Sequence, residues 1–299
     1  MEIRSLKYFL EVAQDENMTE AANILHVTQP TLSRQIADLE DELGVKLFVR
    51  TNRATLLTEA GMHLKQRAVE ILSLVDQTEA EFARASEEVA GCVRIGAAET
   101  KIMHCVAETF GDLRSQYPRL TCEISSGNAD TIQEQLERGL VDFALLLEPV
   151  RLETYDYLRV PEMETVGVVV PANSSWAEKS AIRPEDIQSM PLLLSSRKHQ
   201  SVFDVSEWSG GEIDAEQLNV VGRFDLIGNG AALVRTGCAC AVSIHGLYQI
   251  DDASLKFVPF EPKVTVGAVL VWKKYRIFSK AAEAFLTAFK NKYSFETDV

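Results

Sequence analysis

Leu6, Phe9, Leu10 and Ala13 recur at the i, i+3, i+4, i+7 spacing of a helix that buries one face. Thr19 then reads as the N-cap of a short helix over residues 20–25, with Ala21, Ala22 and Leu25 apolar. After a break at His26 and Val27, Thr28 can cap a third helix. Pro30 falls in its first turn, where the missing N–H costs nothing. Leu32, Ile36 and Leu39 form the buried stripe of that helix, which turns Pro30, Arg34 and Ala37 outward with Gln29 and Ser33 at the flank. Residues 47–49 and 55–57 are two strand-like runs around a polar tip at Thr51, Asn52 and Arg53. Three helices followed by such a hairpin make a winged helix-turn-helix.

From residue 58 to 89 there is no proline, and Leu64, Ala68, Ile71, Val75, Thr78, Phe82, Ala85 and Val89 alternate spacings of four and three. That is the 3.5-residue period of a coiled-coil seam. A helix of this length spans about 48 Å, more than a small domain can cover. It is expected to dimerise the chain through Leu64, Ala68, Ile71, Val75 and Phe82. Thr78 and the alanines make the seam imperfect, so a helix packed on other parts of the chain is the alternative. At residues 90–91 the pattern changes again. Apolar runs of strand length at 93–97, 120–125, 143–147, 166–170, 192–194, 239–244 and 264–272 alternate with helical segments such as 106–116 and 132–138. The alternation predicts α/β layers with mostly parallel sheets.

Composition changes this picture little. The 299 residues suit more than one domain, and 46% apolar with 25% charged residues is ordinary for a globular chain. Neither a signal-peptide core nor a run of about 18 apolar residues is present, and five cysteines make a poor disulfide framework. A reducing cytoplasm is expected. The net charge of -14 argues against a generically basic nucleic-acid binder. Yet the stretch 45–58 holds Lys46, Arg50 and Arg53 and no acid. Phosphates respond to fields within about 10 Å, so the net charge does not exclude DNA.

The outward face of the third helix has the chemistry of a major-groove reader. Gln29 and Ser33 can bond base edges or phosphates, Arg34 can grip guanine with two bonds, and Ala37 permits close approach. Asp38, Glu40, Asp41 and Glu42 come later, so the first half of the helix would enter the groove. Arg50 and Arg53 on the wing would hold the backbone. Periodicity alone is served equally by a solvated helix face. Other signals fail. Gly228-Asn229-Gly230 lacks the third glycine of a dinucleotide loop, and the five histidines are scattered without metal-ligand spacing. Ser243 and His245 have no elbow or acid partner, so no catalysis, metal or cofactor is expected.

The run Leu6-x-x-Phe9, Ala21-Ala22, Leu25-x-Val27-Thr28-Gln29-Pro30-Thr31-Leu32-Ser33-Arg34-Gln35-Ile36, Leu39-Glu40, Leu43-Gly44-Val45-x-Leu47-Phe48-x-Arg50 and Leu57-Thr58-Glu59-Ala60-Gly61 closely resembles the LysR-type transcriptional regulators. The resemblance implies that Gln29, Pro30, Ser33 and Arg34, with Thr28 and Thr31, contact double-stranded DNA at an inverted-repeat operator. It also implies a homodimer, usually paired into a homotetramer. It continues more weakly in Val93-Arg94-Ile95-Gly96 and Gly139-x-Val141-Asp142-Phe143-Ala144. The fold implied is a DNA-binding domain over 1–58 and a linker helix over 59–90. An effector domain of two periplasmic-binding-protein-like α/β lobes follows over 91–299, divided into 91–162 with 267–299, and 163–266. A small effector would sit between the lobes at the strand ends. Thr100, Lys101, Asn128, Ser195, Ser196 and Arg197 stand at those ends, and Phe203, Phe224 and Asn229 are expected on the far wall. Lys101 and Arg197 point to an anionic effector. Residues 237–244 lack the second Gly and the Pro of a family motif, and Cys238-x-Cys240 raises a redox pair as an alternative sensor. A small-molecule binding protein or enzyme whose helical amino terminus merely dimerises is the competing function. It predicts that changes at Gln29 or Arg34 leave DNA binding untouched.

Overall fold

Helix α1 (Ile3–Asp15) buries Leu6, Phe9, Val12 and Ala13 on the face that the apolar spacing marks, and it ends where Glu16 turns left-handed. This computed structural model describes residues 1–50, 54–82, 89–197, 203–247 and 253–293, in two units, Met1–Ala83 and Arg84–Val299. In the first unit α2 (Met18–Ile24) starts before the expected position. Asn17, not Thr19, is its cap, and its side chain accepts from the N–H groups of Thr19 at 2.9 Å and Glu20 at 3.3 Å. Thr28 does cap α3 (Gln29–Leu43), accepting from Thr31 N–H at 3.4 Å. Gly44, at φ 69°, ends that helix. Leu32, Ile36 and Leu39 pack with the buried faces of α1 and α2. Strands β1 (Phe48–Arg50) and β2 (Thr55–Leu57) pair antiparallel, and Phe48 closes onto Phe9 with ring centroids 5.3 Å apart. The wing tip and Arg53 lie outside the described residues.

Thr58 launches α4 (Glu59–Phe82). Its hydroxyl accepts from Gly61 N–H at 2.9 Å and donates to Lys46 O at 2.7 Å. Glycine is required three positions into this helix, because a Cβ there would stand 2.2 Å from the carbonyl oxygen of Leu47. The helix then returns along α1. Ala68 is fully buried in the first unit's core, with Leu64 and Ile71 half-buried against it. This corrects the expected seam: Ala68 is sealed inside its own unit, and Leu64 packs there too. The apolar stripe that faces outward is Ile71, Leu74, Val75 and Thr78, which line a shallow groove, with Leu74 54% exposed. The side chain of Phe82 falls outside the described part.

In the second unit the alternation yields β3 (Gly91–Ala97), α5 (Met103–Gln116), β4 (Leu120–Ser126), α6 (Ala129–Glu137), β5 (Phe143–Leu147) and β6 (Tyr155–Pro171). It continues through α7 (Pro184–Ile187), β7 (Leu192–Ser195), α8 (Val205–Trp208), β8 (Val220–Phe224), α9 (Ile227–Arg235), β9 (Cys240–Ile244), β10 (Leu255–Lys273) and α10 (Lys280–Tyr293). The strands form one eight-stranded sheet in the order β4-β3-β5-β10-β6-β9-β7-β8. It is mixed rather than mostly parallel. The triplets β4-β3-β5 and β9-β7-β8 are parallel, but between them β6 and β10 run antiparallel to each other and to their outer neighbours. That central pair is registered from Tyr155↔Lys273 to Leu255↔Pro171, with irregularities between Pro259 and Val264 and between Gly267 and Ala268. β5 joins β10 along residues 268–271, and β9 joins β6 along residues 166–169. Two α/β lobes thus share two strands.

A buried ion pair fixes the first lobe. Asp142 accepts from Arg276 Nη2 at 2.7 Å and from Arg94 N–H at 2.8 Å, which joins β3, the entry to β5 and the segment before α10. Burial pushes the Asp142 carboxyl up, against the opposing pull of Arg276. The Val93-Arg94 and Val141-Asp142 motifs of the sequence are this junction.

Candidate nucleic-acid interface and ligand cleft

On α3 the buried stripe leaves Pro30, Thr31 and Arg34 exposed, with Gln29, Ser33 and Ala37 half-buried at the flank. Thr28 and Thr31 join hydroxyls at 2.8 Å, so both belong to the cap as well as to the face. The first half of this face carries one guanidinium and no acid. The side chain of Arg50 lies outside the described part.

Glu40, one of the acids in the second half of α3, is buried. Its Oε1 accepts from the N–H groups of Leu47 at 2.8 Å and Phe48 at 3.2 Å, and its Oε2 from Lys46 Nζ at 2.6 Å. Burial raises the carboxyl, but the Lys46 ammonium and the two N–H donors outweigh it and hold the pKa below its ordinary value. One side chain therefore locks the end of α3 to the base of the hairpin. The Leu39-Glu40 and Leu47-Phe48 pairs in the sequence held the signal, as an acid seven and eight residues before a strand start.

In the second unit a cleft, partly open to solvent, lies at the carboxyl ends of the parallel strands of both lobes. Its walls are mainly apolar, from Ala98, Ala129 and Leu147 on one side to Phe224, Ile227, Val242, Ile244 and Leu247 on the other. Asn128, Ser195, Arg197 and Phe224 line it, as expected from the sequence. Arg197 is half-buried and reaches across to the other lobe, donating to Leu147 O at 3.2 Å and to Pro149 O. Burial draws its pKa down, and Asp130 offsets part of that. Asn128 caps α6 and donates to Asp225 Oδ1 at 2.9 Å, a second bond between lobes. Ser196 also donates to Asp225 but does not line the cleft. Two acidic lining residues went unread in the sequence: Asp225, and Glu99, whose Oε2 is buried without a hydrogen-bond partner among the described residues.

Thr100 and Lys101 border an adjoining recess that shares Ala98, Glu99 and Leu247 with the cleft. Thr100 is buried and donates to Glu164 Oε1 at 3.0 Å, while Lys101 donates from Nζ to His245 Nδ1 at 3.3 Å. Burial and the Lys101 charge hold His245 below its usual pKa, which keeps the ring a neutral acceptor. Besides Ser196, two more of the expected residues line neither space. Phe203 is buried in the second lobe's core, stacked on Phe260 at 4.4 Å and beside Trp208. Asn229 is exposed on α9 and lines neither space. Cys238 is exposed and Cys240 buried, with burial pushing the Cys240 thiol up to about 11. No described helix is long and apolar enough to cross a membrane.

Residues 3–62 match the model of the family described as "Bacterial regulatory helix-turn-helix protein, lysR family", and residues 86–294 match "LysR substrate binding domain". The HTH-type transcriptional regulator BsdA of Bacillus subtilis (strain 168) is 34% identical over 198 residues, 65% of this chain and 67% of that protein. The uncharacterized HTH-type transcriptional regulator YnfL of Escherichia coli (strain K12) is 27% identical over 297 residues, 95% of this chain and 96% of its own. Full-length CbnR, solved in complex with its target DNA, superimposes with a TM-score of 0.72 over 97% of this chain and 99% of that one. At 23% identity it supports the fold alone.

Proposed function

Because the chain belongs to the lysR family of bacterial regulatory proteins, it is a DNA-binding transcriptional regulator with an effector-binding domain, and we propose that α3 reads its operator while the interlobe cleft receives the effector. The observation that carries the first half is the division of α3. Its amino-terminal half exposes Pro30, Thr31 and Arg34 opposite the buried stripe, and its acids begin only at Asp38. Arg34 makes the base contact, Gln29 and Ser33 flank it, Thr28 and Thr31 fix the helix start, and Arg50 and Arg53 on the wing hold phosphates.

In this reading residues 1–58 form the DNA-binding domain and 59–90 the dimerisation helix. The effector domain is 91–299, with lobes 91–162 plus 267–299, and 163–266. Dimerisation uses the outward stripe of α4 at Ile71, Leu74, Val75 and Thr78. The effector has an apolar body and an anionic group, because the apolar cleft presents the Arg197 guanidinium, whose bonded partners among the described residues are the carbonyl oxygens of Leu147 and Pro149. The protein carries out no catalysis and acts in the cytoplasm, beside the DNA it regulates.

The test begins with selection of a binding site from randomised duplexes by the full chain. Arg34→Ala should bind the selected inverted repeat with a loss of about 1–3 kcal/mol, roughly ten- to a hundredfold, with unchanged thermal melting. Equal affinity of the variant for that site would remove α3 from the reading.

A further inference from the structure

Three side chains that the regulatory reading leaves unused meet at one point of the first lobe. His104 and Cys105 stand on the first turn of α5, and Glu162 stands on β6. His104 Nε2 lies 3.0 Å from Glu162 Oε1. Cys105 Sγ lies 3.6 Å from that nitrogen and 3.7 Å from that oxygen. The far ring nitrogen, Nδ1, is 2.7 Å from Lys101 O, a group that can only accept. Nδ1 therefore carries a proton, and Nε2 donates to the Glu162 carboxylate in the charged ring; once that second proton leaves, Nε2 offers a lone pair to an ion held between the carboxylate and the sulfur. Histidines that ligate metals are oriented in this way, by a backbone carbonyl on the second nitrogen.

The spacing fits an ion. A tetrahedral centre with bonds of about 2.3 Å to sulfur and about 2.1 Å to nitrogen and oxygen separates its ligand atoms by about 3.4–3.6 Å. The two sulfur edges here, 3.6 and 3.7 Å, agree with that, and the 3.0 Å edge needs only an N–metal–O angle closed to about 90°. We propose that His104, Cys105 and Glu162 form a binding site for a divalent transition-metal ion of the zinc class, with solvent as the fourth ligand. A thiolate with an imidazole selects such borderline ions over magnesium or calcium. The His104 and Glu162 side chains are 45% and 47% exposed, which gives the ion access and leaves the fourth position open. On binding, the Cys105 sulfur–metal bond forms as the thiol proton leaves to solvent.

The site also has a place in the fold's mechanics. Glu164, two residues along β6, already accepts from the N–H groups of Lys101 at 2.6 Å and Ile102 at 3.3 Å. A metal would add a second tether between the 100–105 turn and β6, where that strand passes between lobes, next to the recess adjoining the cleft.

The full-length chain, stripped with a chelator, is titrated with Co²⁺ as a spectroscopic stand-in for Zn²⁺. One Co²⁺ per chain should bind with a thiolate-to-cobalt charge-transfer band, and Zn²⁺ should displace it. His104→Ala and Glu162→Gln, both at exposed side chains, should each weaken binding on the order of a hundredfold with unchanged melting. Cys105→Ser should abolish the charge-transfer band. Absence of a band at stoichiometric Co²⁺ overturns the proposal. So does a band that persists in all three variants and disappears in Cys238→Ser, the exposed thiol.

Discussion

Glu40 sits on α3 yet faces the wing, and its three hydrogen bonds are strongest while the carboxylate is ionised. Its folded pKa is depressed below 4.5, so the unfolded chain binds the proton more tightly than the folded one. The stabilisation is complete above that unfolded value and is lost as pH falls through the depressed folded value. Thermal melting of the full chain followed from neutral pH into this window should therefore show an acid-sensitive loss in the first unit. Glu40→Gln should melt lower at neutral pH and show less of that acid dependence. Equal pH profiles for the two proteins would mean that the carboxylate does not hold the wing. At this scale the sequence was a partial guide. Arg34 and Gln29 stand where the helical wheel puts them. Glu40 and Asp142 look like ordinary surface acids until partners from elsewhere in the chain, Phe48 for one and Arg276 for the other, are brought to them.

Helices α1 and α3 were legible because an apolar face at 3.6-residue spacing with a cap at its start is a local property. The long strands were not. Only the apolar ends of β6 and β10, residues 166–170 and 264–272, carried a strand pattern. Their other ends hold Asp156, Arg159 and Glu162, and Pro259 and Pro262, which broke it. Strand β8 escaped notice for a related reason: it lies at a sheet edge with Val220 and Val221 exposed, so no burial imposed alternation on it. In α4 the heptad spacing serves packing in its first half, which lies against its own unit, and dimerisation in its second half is the proposed purpose. The two purposes are separable. Leu74→Glu, on the exposed stripe, should shift the full chain from dimer towards monomer in sedimentation velocity while leaving melting unchanged. Ala68→Glu, in the core, should lower the first unit's melting temperature. A Leu74→Glu protein with an unaltered sedimentation coefficient would place dimerisation elsewhere.

For the whole molecule, bonds that cross between the lobes hold the cleft narrow: Asn128 to Asp225, Arg197 to the carbonyls of Leu147 and Pro149, and Lys101 to His245. A ligand with an anionic group on Arg197 competes with those carbonyls, so its binding alters how the lobes are held. Such differential contact is what coupling to a distant site requires. A panel of apolar carboxylates screened by thermal melting should contain members that raise the melting temperature. At about 100 times its dissociation constant a ligand adds about 2.7 kcal/mol, or about 5–10 °C at about 2–4 °C per kcal/mol. Arg197→Met should erase that shift without lowering the melting temperature of the free protein by a comparable amount. A shift of full size in the variant would show that the guanidinium does not select the ligand.

The two shared strands also govern how the protein is made. The first unit ends at residue 83, and the residues of its core all lie within that stretch. The second has no such early stopping point, because β10 is inserted between β5 and β6 and emerges after nearly every other strand and helix. A nascent chain halted before residue 255 leaves the apolar edges of both lobes bare together, and neither lobe can be finished first. The DNA-reading part is thus folded on the ribosome long before the sensing part exists. During that interval the growing chain carries open strand edges, which template wrong pairings until β10 fills the gap between the lobes.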